Sequence, residues 1–158
     1  MIFGGIEFMK KIYLCGAMGC YENPEEYMFW RRKIVALYND VADVFDPSEF
    51  YSYEEQMHKT EKEIMEYELY NLKRCDFVIL NLDRIHESIG SIMEIAVANE
   101  NNIPIIAFGS LDKYEHLYPW LKECILRHET SMPETIEYIN KYFLQRELSR
   151  RCTQNESN

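Results

Sequence analysis

The residues with the clearest chemical content are two glutamates and a tyrosine. Glu94 lies in the stretch Ser88-Ile89-Gly90-Ser91-Ile92-Met93-Glu94-Ile95-Ala96-Val97-Ala98-Asn99. From Ile92 to Ala98 this stretch is apolar on every side of a helical wheel except at Glu94. A helix that is apolar all round is a buried one, and a buried carboxylate must be held by hydrogen bonds or charge. Such acids concentrate at functional sites. A plainer account makes Ser91 and Glu94 a capping box at a helix start. Glu68 is a second displaced acid, falling between Ile64 and Leu72 within the apolar stripe of a helix expected from Thr60 to Arg74. The alternative there is a stripe-edge glutamate reaching water. Tyr13 sits in a short apolar run that ends in Gly16. Two carboxylates and a phenol in one crevice outline glycosidic-bond chemistry.

The elements that must bring these residues together alternate along the chain. Strands are expected at Lys11 to Gly16, Val41 to Phe45, Cys75 to Leu82 and Ile103 to Gly109, with a small edge strand over Ile125 to His128. Helices are expected from Glu25 to Asn39, from Thr60 to Arg74, after an N-cap at Ser88 with Gly90 in the first turn, and from a capping box at Ser131 to about Glu147. Leu117 to Leu121 is read as the start of a short helix, and Ser48 to His58 as a long loop or lid. This alternation predicts a single-domain, doubly wound α/β fold of the flavodoxin or Rossmann-like kind. Its parallel five-stranded sheet carries helices on both faces. The expected strand order is 2-1-3-4-5, which makes the ends of the first and third strands the place for a ligand. Gly16–Cys20 and Ser88–Gly90 follow those two strands, and Asp46 ends the second. A tight turn accounts equally well for Gly16 and Gly19, and a turn before proline for Asp46.

Composition narrows the function. A chain of 158 residues suits one domain with a respectable core, and 47% apolar residues exclude a disordered chain. The net charge of −10 argues against a nucleic-acid polymer as partner, although one nucleotide phosphate needs only local donors. Five cysteines (Cys15, Cys20, Cys75, Cys124 and Cys152) form no C-x-x-C pair, which fits a reduced, cytoplasmic protein. No metal or cofactor motif is read, and no apolar run approaches the roughly 18 to 20 residues of a membrane span. The domain is placed at residues 10–147. It is preceded by an uncertain extension at 1–9, where Met9 is an alternative start, and followed by a polar tail at 148–158.

These pieces together resemble the nucleoside 2-deoxyribosyltransferase family and its nucleotide N-glycosidase relatives. The resemblance rests on Ile12 to Met18, Trp30-Arg31, Asp46-Pro47, Glu68-Leu69 with Cys75-Asp76, Ser88 to Ile95, and Pro104. It implies Glu94 as a nucleophile forming a glycosyl-enzyme ester, with Tyr13 positioning it. Glu68, where the family usually has Asp, would handle the leaving-group proton. Gly16, Ala17, Met18, Asp46, Ser88 and Gly90 would bind substrate. Ser88 matches a position that is Asp in the deoxyribosyltransferases and Ser in relatives that hydrolyse nucleoside 5′-monophosphates. A hydroxyl at a helix N-terminus admits a phosphate that an Asp carboxylate would repel. Arg31 either reaches that phosphate or lies on the surface. The expected partners are a nucleoside or nucleotide, a free nucleobase and further copies of the chain, with Tyr114, Tyr118 and Trp120 as candidate interface aromatics. The activity implied is deoxyribosyl transfer between bases, with monophosphate hydrolysis or non-catalytic nucleotide sensing as alternatives.

Overall fold

Short runs of β-branched and aromatic residues, apolar on both sides, are the signature of strands covered on both faces. Each such run becomes a parallel strand. The computed structural model describes residues 9–50, 58–145 and 147–148. The extension at 1–8, residues 51–57 of the expected lid and the tail beyond 148 lie outside the described residues. The order is β1 (Lys10–Cys15), α1 (Pro24–Tyr38), β2 (Ala42–Phe45), α2 (Glu61–Leu72), β3 (Phe77–Asn81), α3 (Ile89–Glu100), β4 (Ile105–Phe108), α4 (Leu111–Glu115), α5 (Pro119–Cys124), β5 (Arg127–Glu129) and α6 (Met132–Tyr142). The sheet runs β2-β1-β3-β4-β5, all parallel, as the alternation predicts. Helix α4 was not foreseen. Its Ser110 N-cap is legible, but five residues are too few for a periodic signal.

Strand alternation divides the molecule into two cores. Ile12 and Leu14 of β1 pack with Trp30, Ile34, Phe77, Ile79 and Ile139 on the face covered by α1 and α6. Tyr13 and Cys15 pack with Val78, Leu80, Ile95 and Ala98 on the face covered by α2, α3 and α5. Glu94 stands on that second face. The period of two in β1 thereby aims a phenol and a thiol at the same helix.

Helix α3 departs from the expectation that it is buried all round. Its buried residues are Ser91, Glu94, Ile95 and Ala98, a single stripe at i, i+3, i+4 and i+7. Ile89 and Met93 are 75% and 46% exposed. Glu94 is buried because it belongs to the sheet-facing stripe, and the apolar residues around the rest of the wheel have no part in it. The capping-box account also fails. Ser88 is the N-cap, its side chain accepts from the Ser91 amide, and Glu94 turns inward.

One ion pair ties the carboxyl ends of β1 and β2 together. Arg31 lies on the buried stripe of α1 with Tyr27, Trp30, Ile34 and Tyr38 and is 1% exposed, so it is not a surface arginine. Its guanidinium donates to the Leu14 carbonyl at 3.0 Å, the Gly16 carbonyl at 2.9 Å and Asp46 Oδ1 at 3.1 Å. Asp46 also accepts from the Ser48 amide and hydroxyl. Gly16 is closely approached, since a Cβ there would stand 3.1 Å from the Trp30 ring and 3.3 Å from Asn81, tight contacts that those side chains would have to yield to. Removing one partner of a buried pair strands the other charge. Asp46→Ala is therefore expected to lower the unfolding free energy by about 3–5 kcal/mol in urea denaturation, and a loss below about 1 kcal/mol would show that the pair does not anchor the fold.

Candidate active site

The N-terminal turn of α3 and the two cores described above converge on Glu94, which is 9% exposed. Tyr13 donates its hydroxyl to Glu94 Oε1 at 2.7 Å, and Cys15 donates its thiol to Oε2 at 3.1 Å. The Tyr13 ring is held for this by parallel stacking on Phe45 of β2 at 5.3 Å between centroids, and Phe45 packs in turn against Tyr67 of α2. Glu68, half-buried on α2, shares a hydrogen bond with Glu94. The two acids and the phenol expected from the sequence are thus in one cluster, with Cys15 added.

Electrostatics ties the two acids of this cluster together. Glu68 is pushed up to about 8, first by burial, then by the charge of Glu94 and the bond they share. Burial also raises Glu94, against the opposing effects of its Tyr13 and Cys15 donors, the Arg31 charge and Glu68. Glu94 accepts from Tyr13 and Cys15, Glu68 takes its burial-driven push upward, and the two carboxyls titrate as a pair. Tyr13 and Cys15 are both driven far above their ordinary values by burial and by the Glu94 charge, which keeps them protonated and able to donate.

Two cavities meet at this pair. The first, about 210 Å³, is lined by Gly16, Met18, Gly19, Tyr27, Arg31, Pro47, Glu68, Ser88, Gly90, Ser91 and Glu94. The second, about 630 Å³, lies between α2 and α3 with Ile64, Met65, Leu69 and Met93 as its apolar walls, and it too touches Glu68, Gly90 and Glu94. Ser88 and Ser91 hydroxyls bond each other at 2.8 Å at the helix start. The space beside Gly90 is open, with no atom within 4 Å of where a Cβ would stand. Tyr21 donates to Asp83 and pins the β1–α1 loop to the loop after β3, and Lys113 of α4 donates to the same carboxylate.

Of the residues read as substrate-binding, Gly16, Met18, Ser88 and Gly90 line the first cavity. Ala17 is buried at 3% exposure, and Asp46, at 2%, has its carboxylate committed to Arg31 and Ser48. Sequence reading missed Tyr27 and Cys15 as parts of the site, and of its two alternatives for Arg31 the surface one fails. Tyr27 was legible, because the stripe Tyr27-Trp30-Arg31-Ile34-Tyr38 has helical spacing. Cys15 was legible as the residue sharing a strand face with Tyr13. Among the described residues no group of three or more His, Cys, Asp or Glu side chains can hold a metal ion, and no helix is long and apolar enough to cross a membrane.

The model of the nucleoside 2-deoxyribosyltransferase family matches residues 12–135, a span that contains Tyr13, Glu68 and Glu94. The chain belongs to the nucleoside 2-deoxyribosyltransferase family. No curated protein sequence matches it. Solved structures share the fold of this family member at low identity. A conserved protein from Enterococcus faecalis V583 superposes with a TM-score of 0.65 at 21% identity, over 84% of this chain and 98% of that one. The 2-deoxyribosyltransferase from the psychrotolerant bacterium Bacillus psychrosaccharolyticus gives 0.62 at 15% identity, over 78% and 88%. The CMP N-glycosidase BcmB from Clostridium botulinum gives 0.57 at 15% identity, over 84% and 100%.

The pair leaves a signature in stability. In the folded chain Glu68 keeps a proton up to about pH 8, whereas in the unfolded chain it releases it near its ordinary 4.5. The folded state binds more protons between those values, so stability falls as pH rises through this window and levels off above it. Glu68→Gln cannot ionise. Urea denaturation at pH 5, 6.5 and 8 is expected to show a shallower decline for this variant than for wild type. Equal slopes would mean that Glu68 titrates normally.

Proposed function

We propose that the chain cleaves the N-glycosidic bond of 2′-deoxynucleosides and transfers the deoxyribosyl group to a second nucleobase. The observation that carries this reading is the meeting of Glu68 and Glu94 at one cavity, with Tyr13 donating to Glu94 at 2.7 Å. A glycosidic bond breaks most readily when an anion approaches the anomeric carbon while a proton reaches the departing nitrogen. Glu94 supplies the electron pair that forms the new C–O bond. The electron pair of the C–N bond leaves with the base and takes the proton of Glu68, so that Glu94 becomes an ester and Glu68 a carboxylate. An incoming base reverses these steps, returning its N–H proton to Glu68. In this reading the closeness of the two carboxyls favours attack by Glu94 itself over activation of a water held between them. This spacing supports a double displacement. In this reading the first cavity seats the sugar at Ser88, Gly90 and Gly16, and the second, walled by apolar side chains, gives room to the base.

A second reading, hydrolysis of nucleoside 5′-monophosphates, is favoured by one feature. The hydroxyls of Ser88 and Ser91 at the start of α3 line the same cavity as the buried cation Arg31, an environment that receives an anion. Assembly into a homo-oligomer belongs to the proposal as well. Tyr118 and Trp120 are 62% and 78% exposed, whereas Tyr114 is stacked on His128 and directed into the molecule. Light scattering of wild type and Trp120→Ala is expected to show an assembly that the substitution weakens, and a monomeric wild type would remove this element.

Incubation with deoxyinosine and adenine tests the transfer. Base exchange identifies the transferase, and free base with sugar phosphate from a panel of deoxynucleoside monophosphates identifies the hydrolase. Glu94→Gln is expected to lower kcat by roughly 10³-fold or more and Glu68→Gln by about 10²–10⁴-fold. Mass spectrometry of quenched enzyme should find the sugar adduct on Glu94. Full activity of Glu94→Gln, or an adduct on another residue, would overturn the mechanism.

A further inference from the structure

Tyr13 accounts for only one oxygen of Glu94. The other accepts from Cys15, whose side chain emerges from β1 two residues on, on the same face, and is 1% exposed. The thiol has a second acceptor within its rotation, the Ser91 carbonyl oxygen at 3.8 Å. A carboxylate acting as a nucleophile has conflicting needs. Both oxygens must be held, because a rotating carboxylate loses the alignment that makes attack fast. Yet every donor on the attacking oxygen stabilises the charge that attack must surrender. A phenol is a strong donor and a thiol a weak one. We propose that Cys15 is a positioning residue for Glu94, holding its second oxygen with a donor weak enough to release as that oxygen bonds to carbon.

The proposal rests on the reading of Glu94 as nucleophile. It assigns the two oxygens unequal fates. Oε2 forms the bond to the anomeric carbon and loses its charge, while the Cys15 hydrogen swings to the Ser91 carbonyl and stays on sulfur throughout. Oε1 becomes the ester carbonyl, still capped by the Tyr13 hydroxyl. The charged and titratable groups facing Glu94 are Tyr13 and Cys15 from β1, Glu68 from α2 and Arg31 from α1. Among them Cys15 can be altered with no change in the net charge of the cluster.

Two measurements on the full-length chain test this. The first is the infrared S–H stretch of Cys15, isolated as the difference between wild type and Cys15→Ser and followed across pH. The band is expected at lowered frequency while Glu94 is an anion, and to relax upward when the pair takes its second proton or in Glu94→Gln. The second is the pH profile of kcat/KM for base exchange. Cys15→Ala removes a donor from the anion and should move the acidic limb upward by about 0.5–1 pH unit. Cys15→Ser substitutes a stronger donor and should move it downward, with lower kcat and little change in KM in both variants. A residue that merely fills space would leave the limb in place. A band at its unperturbed frequency overturns the proposal whether or not the chain is active, as does an acidic limb unmoved in both variants. A shifted, pH-dependent band in a chain that turns over no nucleoside or nucleotide supports the clamp and overturns the reaction.

Discussion

The guanidinium of Arg31 is the point from which the rest of the site is hung. A buried cation is tolerated only where its partners are fixed in advance. Here the partners are the last carbonyls of β1 and the aspartate that ends β2. The same group that closes the carboxyl edge of the sheet puts a positive charge beneath two acids and favours their ionised forms. Its Nε has no partner among the described residues. Architecture and reactivity are joined at this one side chain.

The strand β1 serves both cores by alternation. Its even-numbered residues, Ile12 and Leu14, pack under α1 and α6, while Tyr13 and Cys15 present donors to α3. Glu94 is therefore held by a strand on the same side as the apolar core, and its donors cannot move without displacing that core. Stacking of Tyr13 on Phe45 extends the restraint to β2. Rigid support of this kind costs no reorganisation when charge moves during a reaction.

Much of this could be read from the residues alone. The strand order follows from apolar runs alternating with helical stripes. Ser88 declares itself as a cap, and Glu94 stands out as the only charge in an apolar stretch. The reason first given for its burial was nevertheless incomplete, because α3 exposes Ile89 and Met93 and buries Glu94 through sheet-facing periodicity. Arg31 was left between a place in the site and one on the surface, and its position on the buried stripe of α1 decides between them. Asp46 was correctly set at a strand end, but the fate of its carboxylate depended on a partner fifteen residues away. The upward push on Glu68 was beyond sequence reasoning, since it depends on how closely two helices pack on one sheet.

That packing has a further meaning. The Glu68–Glu94 pair borders both chambers of the site, and its two halves belong to different helices. Sliding α2 against α3 would alter three things together: the volume of each chamber, the contact between the acids and the pH at which they titrate. In such a design the fit of a ligand and the strength of the acid that greets it are one mechanical variable. A lineage could not retune one without detuning the other, except by substitutions in the pair itself.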